Sequence, residues 1–145
     1  MKAMKNIISK TLKKVNLYSE DAVDLIYETG NAESHYMALE QYGGGPALGY
    51  FQCEPATMND CIENYINYRS ELKESLLSLG FLEDDAEYSL QTNIAVQIFF
   101  CRIKYRRDKD PIPNNLSDRA AYWKKVYNTN AGKGTVQHYI KANQP

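Results

Sequence analysis

Two carboxylates five residues apart, Glu28 and Glu33 in "ETGNAESHY" (residues 28–36), are the first groups in this chain that could do chemistry. Ser19 followed by Glu20 and Asp21 reads as an N-cap with acidic first-turn residues, which predicts a helix over residues 19–33. Wound at about 100° per residue, that helix gathers Ala22, Leu25, Ile26, Thr29 and Glu33 into one narrow apolar sector. Asp21, Asp24, Glu28 and Asn31 fall on the other side, so Glu28 is expected on a solvated face. Glu33 is the odd residue, a carboxylate ending a stripe that faces the core. Such a group pairs with a cation, escapes at a frayed helix end, or is kept protonated by desolvation. The last state is the one a general acid for glycoside cleavage needs.

The elements that must position these groups are mostly helical. Met4, Ile7, Ile8, Leu12 and Val15 are spaced as one face of a short N-terminal helix. Helical periodicity stops over residues 35–53, where three consecutive glycines, Gly43 to Gly45, and Pro46 predict turns or a small hairpin. It resumes at Pro55, with Thr57 as an alternative cap, and is expected to run to about Leu79 before Gly80. Asp84 and Asp85 open a stretch that is apolar nearly all round at its centre, the pattern of a buried central helix. A further helix is expected over residues 116–127, capped by Ser117, and a short one ends the chain. No internal repeat, low-complexity segment or Pro/Ser-rich linker divides residues 1–145, so one mostly α domain with a small glycine-rich excursion is expected.

The order of three short motifs resembles the lytic transglycosylase and goose-type lysozyme pattern. Glu33-Ser34 stands where that family ends a helix in Glu-Ser. Gly49, Tyr50, Phe51 and Gln52 stand in for its strand-like Gly-x-x-Gln segment, and Pro55 and Thr57 for the opening of the next helix. Tyr127 and Asn128 in "VYNTNAGKGTV" match its late Tyr-Asn pair, with Thr129 and Asn130 inserted before Ala131-Gly132. The resemblance spans roughly residues 21–140 and looks most like a small phage endolysin or virion-associated wall hydrolase. It implies an α+β lysozyme-like fold in which a helical lobe and the glycine-rich excursion form a substrate cleft. It further implies that Glu33 is the catalytic acid, cutting the β-1,4 bond between N-acetylmuramic acid and N-acetylglucosamine in peptidoglycan as a lytic transglycosylase or muramidase.

On the same resemblance Ser34, Gly49, Tyr50, Gln52, Tyr127 and Asn128 are substrate-binding candidates, with Tyr36 also near the cleft. Tyr127 would donate a hydrogen bond to Glu33 or to sugar. Each has a plainer alternative: a buried structural amide for Gln52, a core aromatic for Tyr127, a helix C-cap for Asn128, a simple turn for the glycines. Trp123, the only tryptophan, is expected in the core. Glu40, Glu54 and Glu28 are the candidates for a second carboxylate, which a hydrolase normally uses; the single-glutamate transglycosylase reading is favoured. The rival class is a non-catalytic glycan-binding or virion structural domain.

Composition narrows the partners. The net charge of −1 names no bulk electrostatic partner, and the basic clusters at Lys10, Lys13 and Lys14 and at residues 102–109 read as solvated helix faces rather than a nucleic-acid surface. Cys53, Cys61 and Cys101 are too few and too scattered for a disulfide framework, and with His35 and His138 isolated no metal or other cofactor is expected. No apolar run has the length of a signal peptide or membrane span. The expectation is therefore a monomer made in the cytoplasm without a signal peptide, acting on the cell wall after release or carried in a phage particle.

Overall fold

The N-terminal lysines need water and the isoleucines and leucines between them do not, and that conflict is resolved by a helix with two faces. In the computed structural model, which describes residues 2–129 and 132–145, α1 (Lys2–Lys14) buries Ile8 and Leu12 completely. The next helix, α2 (Glu20–Ser34), starts where expected: the Ser19 hydroxyl accepts from the Ala22 N–H at 3.0 Å. It stops because His35 takes a left-handed conformation (φ 53°) and donates its N–H back to the Asn31 carbonyl.

Two long helical patterns are broken. The run from Pro55 divides into α3 (Pro55–Asn64), a 3₁₀ turn (Ile66–Tyr68) and α4 (Ser70–Ser78). The sequence "NYINYRS" between them is rich in residues with weak helix propensity, and Ile66 turns into the core. The run from Asp84 becomes a 3₁₀ turn (Glu83–Asp85), α5 (Ala86–Thr92) and α6 (Ile94–Arg106). Asn93 makes that break: its side-chain oxygen accepts from the Val96 N–H at 3.1 Å, and its Nδ2 donates to the Leu79 carbonyl at 2.9 Å. An internal N-cap satisfies the orphan amides of α6.

As its pattern implies, α6 is the hub. It buries Val96, Gln97, Ile98, Phe99, Phe100, Cys101, Ile103 and Tyr105, and α1, α2, α3 and α5 all pack against it. The following helix, α7 (Leu116–Tyr122), is capped by Asn115 rather than Ser117, the Asn115 oxygen accepting from the Asp118 N–H at 2.9 Å. It continues as a π-helical segment, Trp123–Asn128. The last helix, α8 (Val136–Ala142), packs on α2 and α7. Among the described residues no helix is long and apolar enough to cross a membrane.

The fold is therefore mostly helical, as read from the sequence. The excursion over residues 35–53 forms no named strand among the described residues. It is held by two isolated antiparallel bridges, Glu40 with Leu48 and Leu48 with Cys53, and the segment expected to be strand-like, Gly49 to Gln52, is a tight turn between the second pair.

One expectation fails clearly. Glu28 is buried, not solvated. Both of its oxygens accept from Arg119, at 2.7 Å each to Nε and Nη2, and the Tyr139 hydroxyl donates to Oε1 at 2.8 Å. The wheel showed one apolar stripe, but α2 is covered on more than one side, by α1, α6 and α8. A polar position is buried at low cost when its partners bring a cation and a hydroxyl.

Candidate functional site

Glu33 sits in the last turn of α2, at the wall of an open cavity of about 480 Å³. Its position follows from helix phase: the stripe that buries Ala22, Leu25, Ile26 and Thr29 runs out at the cavity edge, so the carboxyl leaves the core without reaching bulk water. Burial pushes its acid up to about 7, against weaker opposing effects from the Trp123 hydrogen bond and the charges of Lys104 and His138. Trp123 Nε1–H donates to Glu33 Oε2 at 2.9 Å. Among the described residues no other hydrogen bond reaches this carboxylate.

The π-helical segment explains how one stretch of chain supplies three wall residues. In an α-helix, residues 123 and 128 would point about 140° apart at roughly 100° per residue. The wider i→i+5 turn brings them back into line, and Trp123, Tyr127 and Asn128 all line the cavity. Trp123 is also a core residue, as expected: it is buried, with its ring 5.2 Å from that of Tyr139. Its indole N–H is what the core expectation left out. Tyr127 stacks on Tyr105, which in turn stacks on Tyr122, at ring spacings of 5.2 and 5.5 Å. This column of buried rings holds the wide turn against α6, and many of the tyrosines are thus spent inside the molecule.

The candidate residues divide into two groups. Glu33, Gln52, Tyr127 and Asn128 come together at the cavity. Gln52 is half-buried; it lines the cavity while its Nε2 donates to the Gly49 carbonyl at 2.9 Å, closing the turn. Asn128 accepts from Lys124 Nζ at 2.8 Å. Tyr127 does not donate to Glu33; its hydroxyl is committed to the Phe51 carbonyl at 2.6 Å. That bond ties the wide turn to the Gly49–Gln52 turn across the site.

Ser34, Gly49 and Tyr50 do not line the cavity. They build the support behind it. The Ser34 hydroxyl donates to the Tyr50 carbonyl at 2.7 Å and accepts from the Tyr36 N–H. Gly49 has φ +78° and lies so close to the Gln97 side chain that a Cβ would collide with it. Gln97 in turn accepts from the Tyr50 N–H at 3.1 Å. Tyr36 is also behind the wall, its hydroxyl donating to the Tyr27 carbonyl. Of the inserted residues in "YNTNAG", Asn130, with the following Ala131, lies outside the described residues.

Several cavity residues gave no sequence signal. His138 reaches it from α8, where its Nε2–H donates to the Ala32 carbonyl at 2.7 Å, one residue from Glu33. Lys104 enters from α6; its Nζ donates to the Tyr127 carbonyl at 2.6 Å and lies 4.1 Å from the centre of that ring. Of the three candidate second carboxylates, only Glu54 shares the cavity with Glu33. Glu40 lies outside it, within 3.3 Å of Gln91 Nε2, and Glu28 is held by Arg119. Among the described residues no three His, Cys, Asp or Glu side chains cluster as metal ligands. The arrangement offers a carboxyl that is half protonated near neutrality, beside an open groove. None of the protein-family models, curated proteins or solved structures compared with the chain matches it, and a functional reading therefore rests on the chemistry of the site itself.

Proposed function

We propose that this chain cleaves the β-1,4 glycosidic bond between N-acetylmuramic acid and N-acetylglucosamine in peptidoglycan, on a lysozyme-like fold, with Glu33 as general acid and then base. The observation that carries the reading is the Glu33 carboxyl at the edge of an open cavity, its acid raised to about 7 by burial. The motif resemblance supports the choice of substrate, and so does the meeting of Gln52, Tyr127 and Asn128 around the same carboxyl.

In the first step the Glu33 proton passes to the glycosidic oxygen as the C1–O bond breaks, the bonding pair leaving with that oxygen. The resulting carboxylate then takes a proton from the attacking hydroxyl as the new C1–O bond forms. Water as nucleophile gives a reducing end. The C6 hydroxyl of the muramic acid residue gives a 1,6-anhydro ring. An acid near 7 suits both halves, since neither protonation state is scarce at neutral pH. The Trp123 N–H stabilises the carboxylate between them.

The test compares wild type and Glu33→Gln on the same isolated peptidoglycan, with the released muropeptides weighed by mass spectrometry. Release by the wild type, lost in a folded Glu33→Gln chain, is expected. Products one water lighter than hydrolysed muropeptides identify the transglycosylase outcome. Reducing ends identify a lysozyme and make Glu54 the second carboxylate to replace. A variant that cuts as well as the wild type overturns the assignment. If neither chain releases material while both bind the wall, the site belongs to a non-catalytic glycan-binding domain.

A further inference from the structure

The glycine-rich loop beside the cavity is built to hold one residue outward. Gln41 is its clamp: its side-chain oxygen accepts from the Ala47 N–H at 3.0 Å, and its carbonyl accepts from the Gly44 N–H at 3.2 Å. The clamp requires glycine at 45, because a Cβ there would fall inside the Gln41 amide. Gly43 and Gly44 turn the chain with φ of +83° and +84°, a conformation costly for any other residue. Between clamp and glycines stands Tyr42. It is 70% exposed, yet it lines the same cavity as Glu33. No hydrogen bond or ring contact engages its side chain among the described residues.

A large aromatic left in water at the rim of a polar cavity, on a loop fixed from below, offers its face to a ligand. The rest of the lining, with Gln52, Asn128 and Lys133, supplies hydrogen-bonding groups. A sugar ring needs both, its hydroxyls taking polar partners and its axial C–H face taking an aromatic one. Resting on the proposed glycan-cleaving activity, we infer that Tyr42 is the sugar-stacking platform of this site, and that Gln41 is the positioning residue that holds it there. Because the clamp is already made in the free chain, little ordering of the loop is left for the glycan to induce.

The experiment uses the full chain carrying Glu33→Gln, which separates binding from cleavage, and measures retention on insoluble peptidoglycan across a range of wall concentrations. Adding Tyr42→Ala should weaken retention about tenfold, whereas Tyr42→Phe and Tyr42→Trp should hold it within twofold, since the ring face carries the contact. Gln41→Ala should weaken it less than Tyr42→Ala. In the cleaving chain, Tyr42→Ala should raise KM and leave kcat near its original value, and Tyr42→Phe should restore KM. Unchanged retention with Tyr42→Ala overturns the platform while leaving the cleavage reading intact. Equal losses with Phe and Ala overturn it in favour of a hydroxyl contact. A Glu33→Gln chain that does not bind peptidoglycan at all, beside a wild type that cuts nothing, overturns the platform and the glycan reading together. Tyr42 is largely exposed and outside the core, so circular dichroism of the variants should match the parent.

Discussion

Replacing Glu33 by glutamine should stabilise the folded chain at pH 8 and leave it nearly unchanged at pH 4. The folded-state acid is raised from 4.5 to about 7 by burial. A raised carboxyl stabilises the folded state most below its unfolded value, near 4.5. That stability is lost as pH climbs through about 7, because folding must then hold a desolvated charge. At about 1.36 kcal/mol per pH unit the full loss is about 3.4 kcal/mol. The carboxyl borders an open cavity, and water there screens the cost to about 1–2 kcal/mol. Glutamine has the same shape, its oxygen can keep the Trp123 N–H, and it never ionises. The midpoint of thermal unfolding at pH 8 should therefore rise by about 3–6 °C over the wild type. Urea unfolding at pH 4 and pH 8, with both chains side by side, measures the same difference directly. A stability difference independent of pH, or a variant that becomes relatively weaker as pH rises, would refute the reasoning. The measurement needs no substrate, so it tests the state of Glu33 apart from any activity.

Three other outcomes are expected. Trp123→Phe removes the Trp123 donor to the Glu33 carboxylate, so the acid should rise further, by about one pH unit; the alkaline limb of the muropeptide release profile should move up accordingly, and no movement or a fall counts against the assignment. Arg119→Met strands the Glu28 carboxylate among buried groups and should cost about 3–5 kcal/mol in urea unfolding, while the double replacement Glu28→Gln with Arg119→Met should cost clearly less. The thiols of Cys53, Cys61 and Cys101 are buried, and burial pushes all three upward, Cys53 to about 12. A thiol reagent at pH 8 should label them only on unfolding, and rapid labelling of the native chain would contradict the packing described.

What the sequence could disclose depended on distance along the chain. The position of Glu33 was legible because helix phase is local: the residues that define its stripe lie within three turns. The cap at Ser19 is local too, and so are the turns around Gly43 to Gly45. The partners of Glu33 were not legible, because Trp123 lies 90 residues away and the His138 that meets Ala32 lies 106 away. Glu28 was misread for the same reason, since Arg119 stands 91 positions off. A helical wheel reports which face is apolar and is silent on how many neighbours a helix has. The break at Asn93 was hidden because the long run from Asp84 reads as one helix with an apolar centre, although an asparagine ahead of Ile94, Ala95 and Val96 is a cap signal in hindsight. Tyr127 was placed at the site by the motif, but of the two acceptors open to its hydroxyl, Glu33 and sugar, Glu33 is not the one it meets. In the fold that hydroxyl donates to the Phe51 carbonyl at 2.6 Å.

Glu33 occupies the final turn of α2, and that placement has an electrical meaning independent of the cavity lining. The peptide dipoles of a helix sum to about half a negative charge at its C-terminal end, where carbonyls point outward. An anion there is opposed by about 0.3–1 kcal/mol, and a cation is favoured by as much. The backbone of α2 therefore biases Glu33 toward its proton-bearing form, in the same direction as burial, and it draws the His138 N–H onto the Ala32 carbonyl. No replacement of a wall side chain can remove that bias, because it belongs to the main chain. Moving the carboxylate to the N-terminal end of a helix, with the same neighbours around it, would turn the same dipole into a force for ionisation.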